Sequence, residues 1–254
     1  MLSVTVSSKE FQTFISSILN VDRNGVTLRI FKSFLEALVL SEDNSSIILY
    51  TKLNILNMSG LDEEKLELHV KDLTKFQKLL DMNEGETFTF TVNDNHIYFE
   101  NDMVKGAKFM LADRPSKAVN ARVNVQWFNS FEKTSRMKIS KPVVKSIIQC
   151  SSFTSDDANK VYVYQDANKV VAEINDRTKN NLDNMSIYIG EIEEGQMEGK
   201  VILNVSTLSR LFLADEMTLE TSFIGQGVSR TEIVFLSFTN DNVSVRYLLN
   251  TLRS

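Results

Sequence analysis

Apolar and polar positions along this 254-residue chain switch repeatedly between a period of two and a period near 3.6, the spacings of strands and helices. Residues 2–6 alternate as a strand. Residues 8–19 then put Phe11, Phe14, Ile15, Ile18 and Leu19 on one stripe, which predicts an amphipathic helix with Ser7 or Ser8 as its N-cap. Strand-like runs follow at 26–31, 35–40, 47–53 and 65–70, with a polar turn at 43–46 between two of them. A second helix is predicted over 72–82, capped by Asp72 and buried through Leu73, Phe76, Leu79 and Leu80. Runs at 86–92 and 97–100 form a hairpin about Asn93, Asp94 and Asn95, and a last strand covers 104–111.

The pattern then breaks and starts again. Residues 112–120 are polar, carry a proline and have no periodicity, so they read as a connector. Beyond them, 122–128 alternates as a strand. Residues 141–153 predict a helix with Pro142 in its first turn, where a missing N–H costs little. Strands are predicted at 160–165, 169–175, 185–192 and 200–203, a fourth helix at 206–217, and strands at 218–223, 231–238 and 243–249. The two halves also match residue by residue. Val70, Leu73, Thr74, Lys75 and Phe76 are answered 135 positions later by Val205, Leu208, Ser209, Arg210 and Leu211. The late hairpins fall out of this register, so one half has an extra or lengthened hairpin.

The expected organisation is therefore a duplicated α+β fold: one domain over 1–111, a connector over 112–120 and a second domain over 121–254. Two helices per half cannot cover both faces of a sheet; they pack on one face and leave strand edges open. A duplicated unit with an open edge at each end suits closure into a ring of subunits.

Composition adds a compartment and removes some functions. A 43% hydrophobic, 24% charged chain with two prolines and nine glycines has the balance of an ordinary globular protein. No apolar run is long enough to cross a bilayer, and the first residues do not read as a signal peptide. The lone Cys150 leaves no intrachain disulfide framework and suits a reducing compartment, hence a cytoplasmic location with no membrane partner. The net charge of −5 repels nucleic acid from most of the surface, so any role on DNA needs positive charge gathered on one face.

The helices show that gathering. Lys71, Lys75 and Lys78 fall on the side of the second helix opposite its apolar stripe. Lys141 and Lys145 do the same on the third, with Arg136 and Lys138 just before it. Lys9 opens the polar face of the first helix, and on the 135-residue spacing Arg210 takes the place of Lys75. A solvated helix face is the bland reading of any one of these; recurrence in both halves favours a shared purpose. Such cations locate a phosphate backbone without reading sequence. With one Trp and no aromatic cluster among the lysines, base stacking on single strands is not indicated.

No catalytic constellation stands beside them. His69 and His96 have no Asp or Cys at ligand or triad spacing, and Cys150 reads as a small core residue. Two Ser-x-x-Lys matches, ending at Lys133 and Lys138, lack the companion elements of that chemistry. Gly225 and Gly227 lack the third glycine of a dinucleotide loop, and the acidic pairs around Asp156 and Glu193 lack calcium-loop spacing. The chain is expected to be a non-enzymatic scaffold without cofactor or metal.

Duplicated domains of two helices and many strands, joined by a polar connector and carrying the Val-x-x-Leu-[Thr/Ser]-[Lys/Arg] repeat, resemble the DNA sliding clamps of the two-domain type that closes as a homotrimer. The resemblance covers nearly the whole chain, and its divergence from cellular clamps suggests a viral source, placing the protein in the host cytoplasm. It implies that Lys9, Lys71, Lys75, Lys78, Lys141, Lys145 and Arg210 face double-stranded DNA in a central hole. It also implies that a strand with Lys108 and Phe109 pairs with one carrying Ile187 and Tyr188 in the next subunit. Partners would dock near Val119, Tyr247, Leu249 and Leu252. A DNA polymerase would be tethered for processivity, and an ATP-dependent clamp loader would open the ring. The alternative is a viral structural protein, a tail or ring component built from duplicated β-rich domains, which does not require lysines on the helical face of both halves.

Overall fold

The structure, a computed structural model, describes residues 1–41, 46–115, 123–154, 160–174, 185–225 and 231–251. Its first run of elements is β1 (Leu2–Ser7), α1 (Ser8–Leu19), β2 (Val26–Phe31), β3 (Phe34–Leu40), β4 (Ile47–Asn54), β5 (Asn57–Ser59) and β6 (Lys65–Val70). Then come α2 (Leu73–Asp81), β7 (Thr87–Asn93), β8 (His96–Phe99), β9 (Ala107–Met110) and the short α3 (Val125–Asn129). The second run is β10 (Lys133–Ser140), α4 (Lys141–Thr154), β11 (Lys160–Asp166), β12 (Lys169–Ile174), β13 (Met185–Gly195) and β14 (Val201–Asn204). It ends with α5 (Val205–Leu211), β15 (Glu216–Ile224), β16 (Thr231–Thr239) and β17 (Val243–Asn250).

The chain divides into two compact units, Met1–Phe128 with Thr239–Arg246, and Asn129–Phe238 with Tyr247–Ser254. In the first, one sheet has the order β5-β1-β7-β8-β9 and a second the order β4-β3-β2-β6. All the pairings recorded among these strands are antiparallel. The helices α1 and α2 pack on each other. Phe11 is the hub: its ring lies 6.1 Å from Phe14, 6.0 Å from Phe76, 5.6 Å from Phe88 and 5.9 Å from Phe90, and all five rings are buried. Those contacts join both helices to the inner face of β7 and hold the polar helix faces away from the sheet.

The second unit orders its strands β14-β11-β12-β13-β10-β15-β16 and packs α4 against α5. Its core takes Val144, Ile147, Leu208 and Leu211 from the helices and Met137, Ile139, Val163, Val170 and Phe235 from the strands. The parallel between units is tight at one joint. Ser7, the last residue of β1, pairs with Thr87 at the start of β7; Ser140, the last of β10, pairs with Glu216 at the start of β15.

Two predicted elements need correcting, and β5 and β10 were not predicted. Residues 122–128, read as a strand, instead contain the start of α3, because the Asn124 side chain accepts the Trp127 N–H at 2.9 Å and turns the backbone into a helix. The strand β10 went unread: its sequence KTSRMKIS is mostly polar, yet Ser135, Met137 and Ile139 are buried, and the Ser135 hydroxyl is satisfied by Thr221 Oγ1 at 2.6 Å. The fourth predicted helix, 206–217, ends at Leu211, and Glu216 and Met217 open β15.

Candidate nucleic-acid interface

Each helix is fixed at its start and buried along one stripe, which decides where its cations point. In α2 the Asp72 carboxylate accepts the Lys75 N–H at 2.8 Å, and Leu73, Phe76, Leu79 and Leu80 are buried. Lys75 and Lys78 are left exposed on the opposite side. Lys71 precedes the cap, so it is exposed in the turn after β6 rather than on the helix itself. On α1, Lys9 is exposed next to buried Phe11, Phe14 and Ile15.

In the second unit Lys141 begins α4, its N–H donating to the Asp215 carbonyl at 2.8 Å, and Lys145 follows one turn on; both are exposed. The Asn204 side chain caps α5 by accepting the Thr207 N–H at 3.0 Å, and Arg210 is exposed in the last turn. Lys78 and Arg210, each in a last turn, also complement the negative helix terminus.

The four helices α1, α2, α4 and α5 carry six basic residues, Lys9, Lys75, Lys78, Lys141, Lys145 and Arg210, against two acids, Glu10 and Asp81. Glu10 is engaged by the Ser7 hydroxyl. In a chain of 33 acids and 28 bases this is a reversal of sign. None of the six, nor Lys71, forms an ion pair among the described residues.

Some cations off the helices are paired. Arg136 lies 3.9 Å from Glu193 and 3.8 Å from Glu194, and Lys138 lies 3.1 Å from Glu216, whose carboxylate holds the Lys138 ammonium above its ordinary pKa. Both residues belong to β10, which leads directly into α4. Arg29 meets Glu36 at 3.4 Å and Glu67 at 3.6 Å, and Lys200 meets Glu173 at 2.5 Å. Lys52, Lys108, Lys160 and Lys169 on the strands also lack an ion pair among the described residues, so what distinguishes the helices is their excess of bases over acids, and such a local excess lets a surface attract phosphate inside a net-negative chain.

The caps also correct the internal register. Asp72 and Asn204 occupy the same cap position, and Leu73, Phe76 and Leu79 match buried Val205, Leu208 and Leu211. The spacing at these helices is therefore 132, one helical turn less than the 135 read from similarity, and Arg210 corresponds to Lys78 rather than to Lys75. Both spacings keep the apolar stripe, because a shift of three residues lands on the same helix face.

The remaining site residues are placed as follows. Lys108 is exposed and Phe109 is buried on β9, whose only partner among the described residues is β8. Ile187 is half-buried and Tyr188 is 66% exposed on β13, with the Lys169 ammonium 4.7 Å above the Tyr188 ring. Residues 185–188 pair with β12 alone among the described residues, since β10 reaches only Ile192, Glu194 and Gly195. Tyr247 and Leu249 are buried in β17, so neither presents an exposed side chain to a partner. Val119 and Leu252 lie outside the described residues. Sequence reasoning missed the exposed apolar side chains Met82, Met103, Met110 and Phe153; their only signal is an apolar residue off a helical stripe, in a turn or on the exposed face of a strand.

The histidines have structural partners. His69 Nδ1 lies 3.0 Å from Thr27 Oγ1, and His96 sits between Asn93 and Asn95 at the hairpin tip. Among the described residues no cluster of three metal-ligating side chains occurs, and no helix is long and apolar enough to cross a membrane.

No family model matches the chain, and no curated protein matches it. Solved structures do. The chain is similar to the proliferating cellular nuclear antigen (PCNA) of Entamoeba histolytica, with a TM-score of 0.73 at 11% identity over 99% of each chain. It is similar to the PCNA of A. fulgidus, in a structure with the C-terminal region of FEN-1 bound, with a TM-score of 0.74 at 14% identity over 100% of this chain and 99% of that one. A third, the PCNA of Thermococcus kodakaraensis, gives 0.73 at 13% identity over 99% and 100%. At such identities the likeness is one of fold: the chain has the duplicated clamp fold of mixed helices and antiparallel sheets from end to end.

Proposed function

We propose that this chain is a DNA sliding clamp that encircles duplex DNA without reading its sequence and tethers a DNA polymerase to raise its processivity. The observation that carries the reading is the concentration, on and beside the helices of a net-negative chain with a PCNA fold, of seven exposed cations without an ion pair among the described residues. A duplex presents one phosphate charge per roughly 1.7 Å of its axis, and Lys and Arg bind it by releasing counterions. Contacts of this kind exchange quickly and carry no base information, so they suit a protein held by topology and free to move along the axis.

Three copies would close the ring, with β9 of one copy adding to residues 185–188 of the next. Both edges are unpaired within the described chain, and free edges invite such pairing. The A. fulgidus protein has the C-terminal region of FEN-1 bound; by analogy the connector region of this chain would receive C-terminal segments of replication partners. An ATP-dependent loader would open the ring in the cytoplasm. Sedimentation of the purified chain tests the assembly. Three times 28.9 kDa is expected, and Tyr188→Asp should reduce it to a folded single copy. A wild-type chain that remains one copy at high concentration would overturn the reading.

A further inference from the structure

The first unit contains a cleft of about 620 Å³ that the DNA-facing helices do not share. It is lined by residues of β6, the turn before it, the β7–β8 hairpin tip, the start of β1 and the segment after β9. Asp62, Glu63, Glu67, Asp94 and Asp113 all contribute to it, and no Lys or Arg does. Glu67 is partly compensated, by Lys65 at 2.9 Å and Arg29 at 3.6 Å. The other four acids are exposed and have no ion pair among the described residues. Between the acids lie Leu61, Leu66 and Leu111, each half-buried.

The wall formed by β6 is also a sheet edge. Among the described residues β6 ends its sheet, pairing with β2 and touching Ala112 through a single bridge at His69. The His69 carbonyl accepts the Ala112 N–H at 2.9 Å, which shows that His69 directs its backbone groups away from β2. In an antiparallel pair inward and outward residues alternate, so Glu67 and Lys65 present their N–H and C=O groups outward as well. Ala112 closes the His69 end, leaving room for a short strand only. A groove with half-buried leucines, open backbone donors and acceptors, and five carboxylates against only the Met1 amino group and His69 in its lining matches the strand-addition mode of peptide recognition.

We infer that this cleft docks a short, extended, basic segment of a partner protein, which adds to the outer edge of β6 while its Lys or Arg side chains meet the surrounding carboxylates and its alternate apolar side chains meet the leucines. The surface is separate from the cationic helices, whose charge would repel such a segment. A clamp tethered to DNA could hold a second protein there without giving up its duplex contacts.

The test uses the full chain without DNA, so its outcome does not depend on the clamp reading. A fluorescein-labelled peptide alternating arginine and valine is titrated by anisotropy, beside the same peptide with glutamate for arginine. Saturable binding of the arginine peptide alone is expected, weakened roughly five-fold by Glu63→Gln combined with Asp94→Asn. Hydrogen exchange should show slowed amides at Glu67 and Lys65 in the bound state. Equal binding of the glutamate peptide, an unchanged affinity in the double variant, or protection confined to other strands would each overturn the proposal.

Discussion

Replacing Lys75 and Lys78 by alanine removes two adjacent, exposed, unpaired charges from α2 and tests the charge argument quantitatively. Each cation that neutralises a phosphate contributes about 0.9 to the slope of log affinity against log salt. Losing both should lower that slope by up to about 1.8 per engaged copy. Between about 50 and 200 mM salt the wild type should then lose roughly tenfold more affinity than the variant. The measurement is anisotropy of a labelled 30-base-pair duplex, a length on the order of 100 Å at the duplex rise per base pair, across that salt range. Folding should hardly change: alanine is a good helix former, and the interaction of Lys78 with the helix terminus is worth less than about 1 kcal/mol. Lys32, exposed in the turn between β2 and β3, is the control, and Lys32→Ala should leave the slope unaltered. An unchanged slope in the double variant, or an equal loss in the control, would refute the assignment of the helix face.

Other outcomes follow from the packing. Phe76→Ala should destabilise the first unit by about 3–5 kcal/mol in urea denaturation, since the ring is fully buried against Phe11 and Phe109; a loss under 1 kcal/mol would mean the aromatic hub is not what joins helix to sheet. Asp72→Ala and Asn204→Ala should each cost about 1 kcal/mol, and similar values would support their equivalence as caps. The Tyr50 phenol is pushed above its ordinary pKa of 10.0 first by burial and then by the Glu36 carboxylate, to which it donates at 3.0 Å. The folded state therefore holds this proton more tightly than the unfolded state, and stability should fall as pH rises beyond 10. Tyr50→Phe should remove part of that decline; parallel curves for the two proteins would contradict it.

Where burial and charge obey one period, the structure could be read directly from residues. α1 begins and ends where the stripe of Phe11, Phe14, Ile15 and Ile18 places it, and the Asp72 cap is visible as an acid before an apolar run. The polarity of the helical faces was equally legible, since it depends only on which residues oppose the stripe. What failed depended on partners distant in sequence. β10 hides its strand character because Ser135 is buried against Thr221, and its cations are answered by Glu193, Glu194 and Glu216 on neighbouring strands. The end of α5 was overrun because similarity to α2 was carried one turn too far. Tyr247 and Leu249 share one face of β17, and Leu248 between them is buried on the other, as happens in a strand covered on two faces, so no sign along the chain announced that the pair would be closed to a partner.

A closed ring would be held on DNA by topology rather than by affinity, and one experiment separates the two. Linear duplex is threaded through assembled rings at low salt, closed by ligase, and passed over a sizing column at high salt, where phosphate contacts alone cannot hold the protein. Co-elution with the circle, abolished by a single restriction cut, is the expected result. Release from circular and cut DNA at the same rate would contradict it.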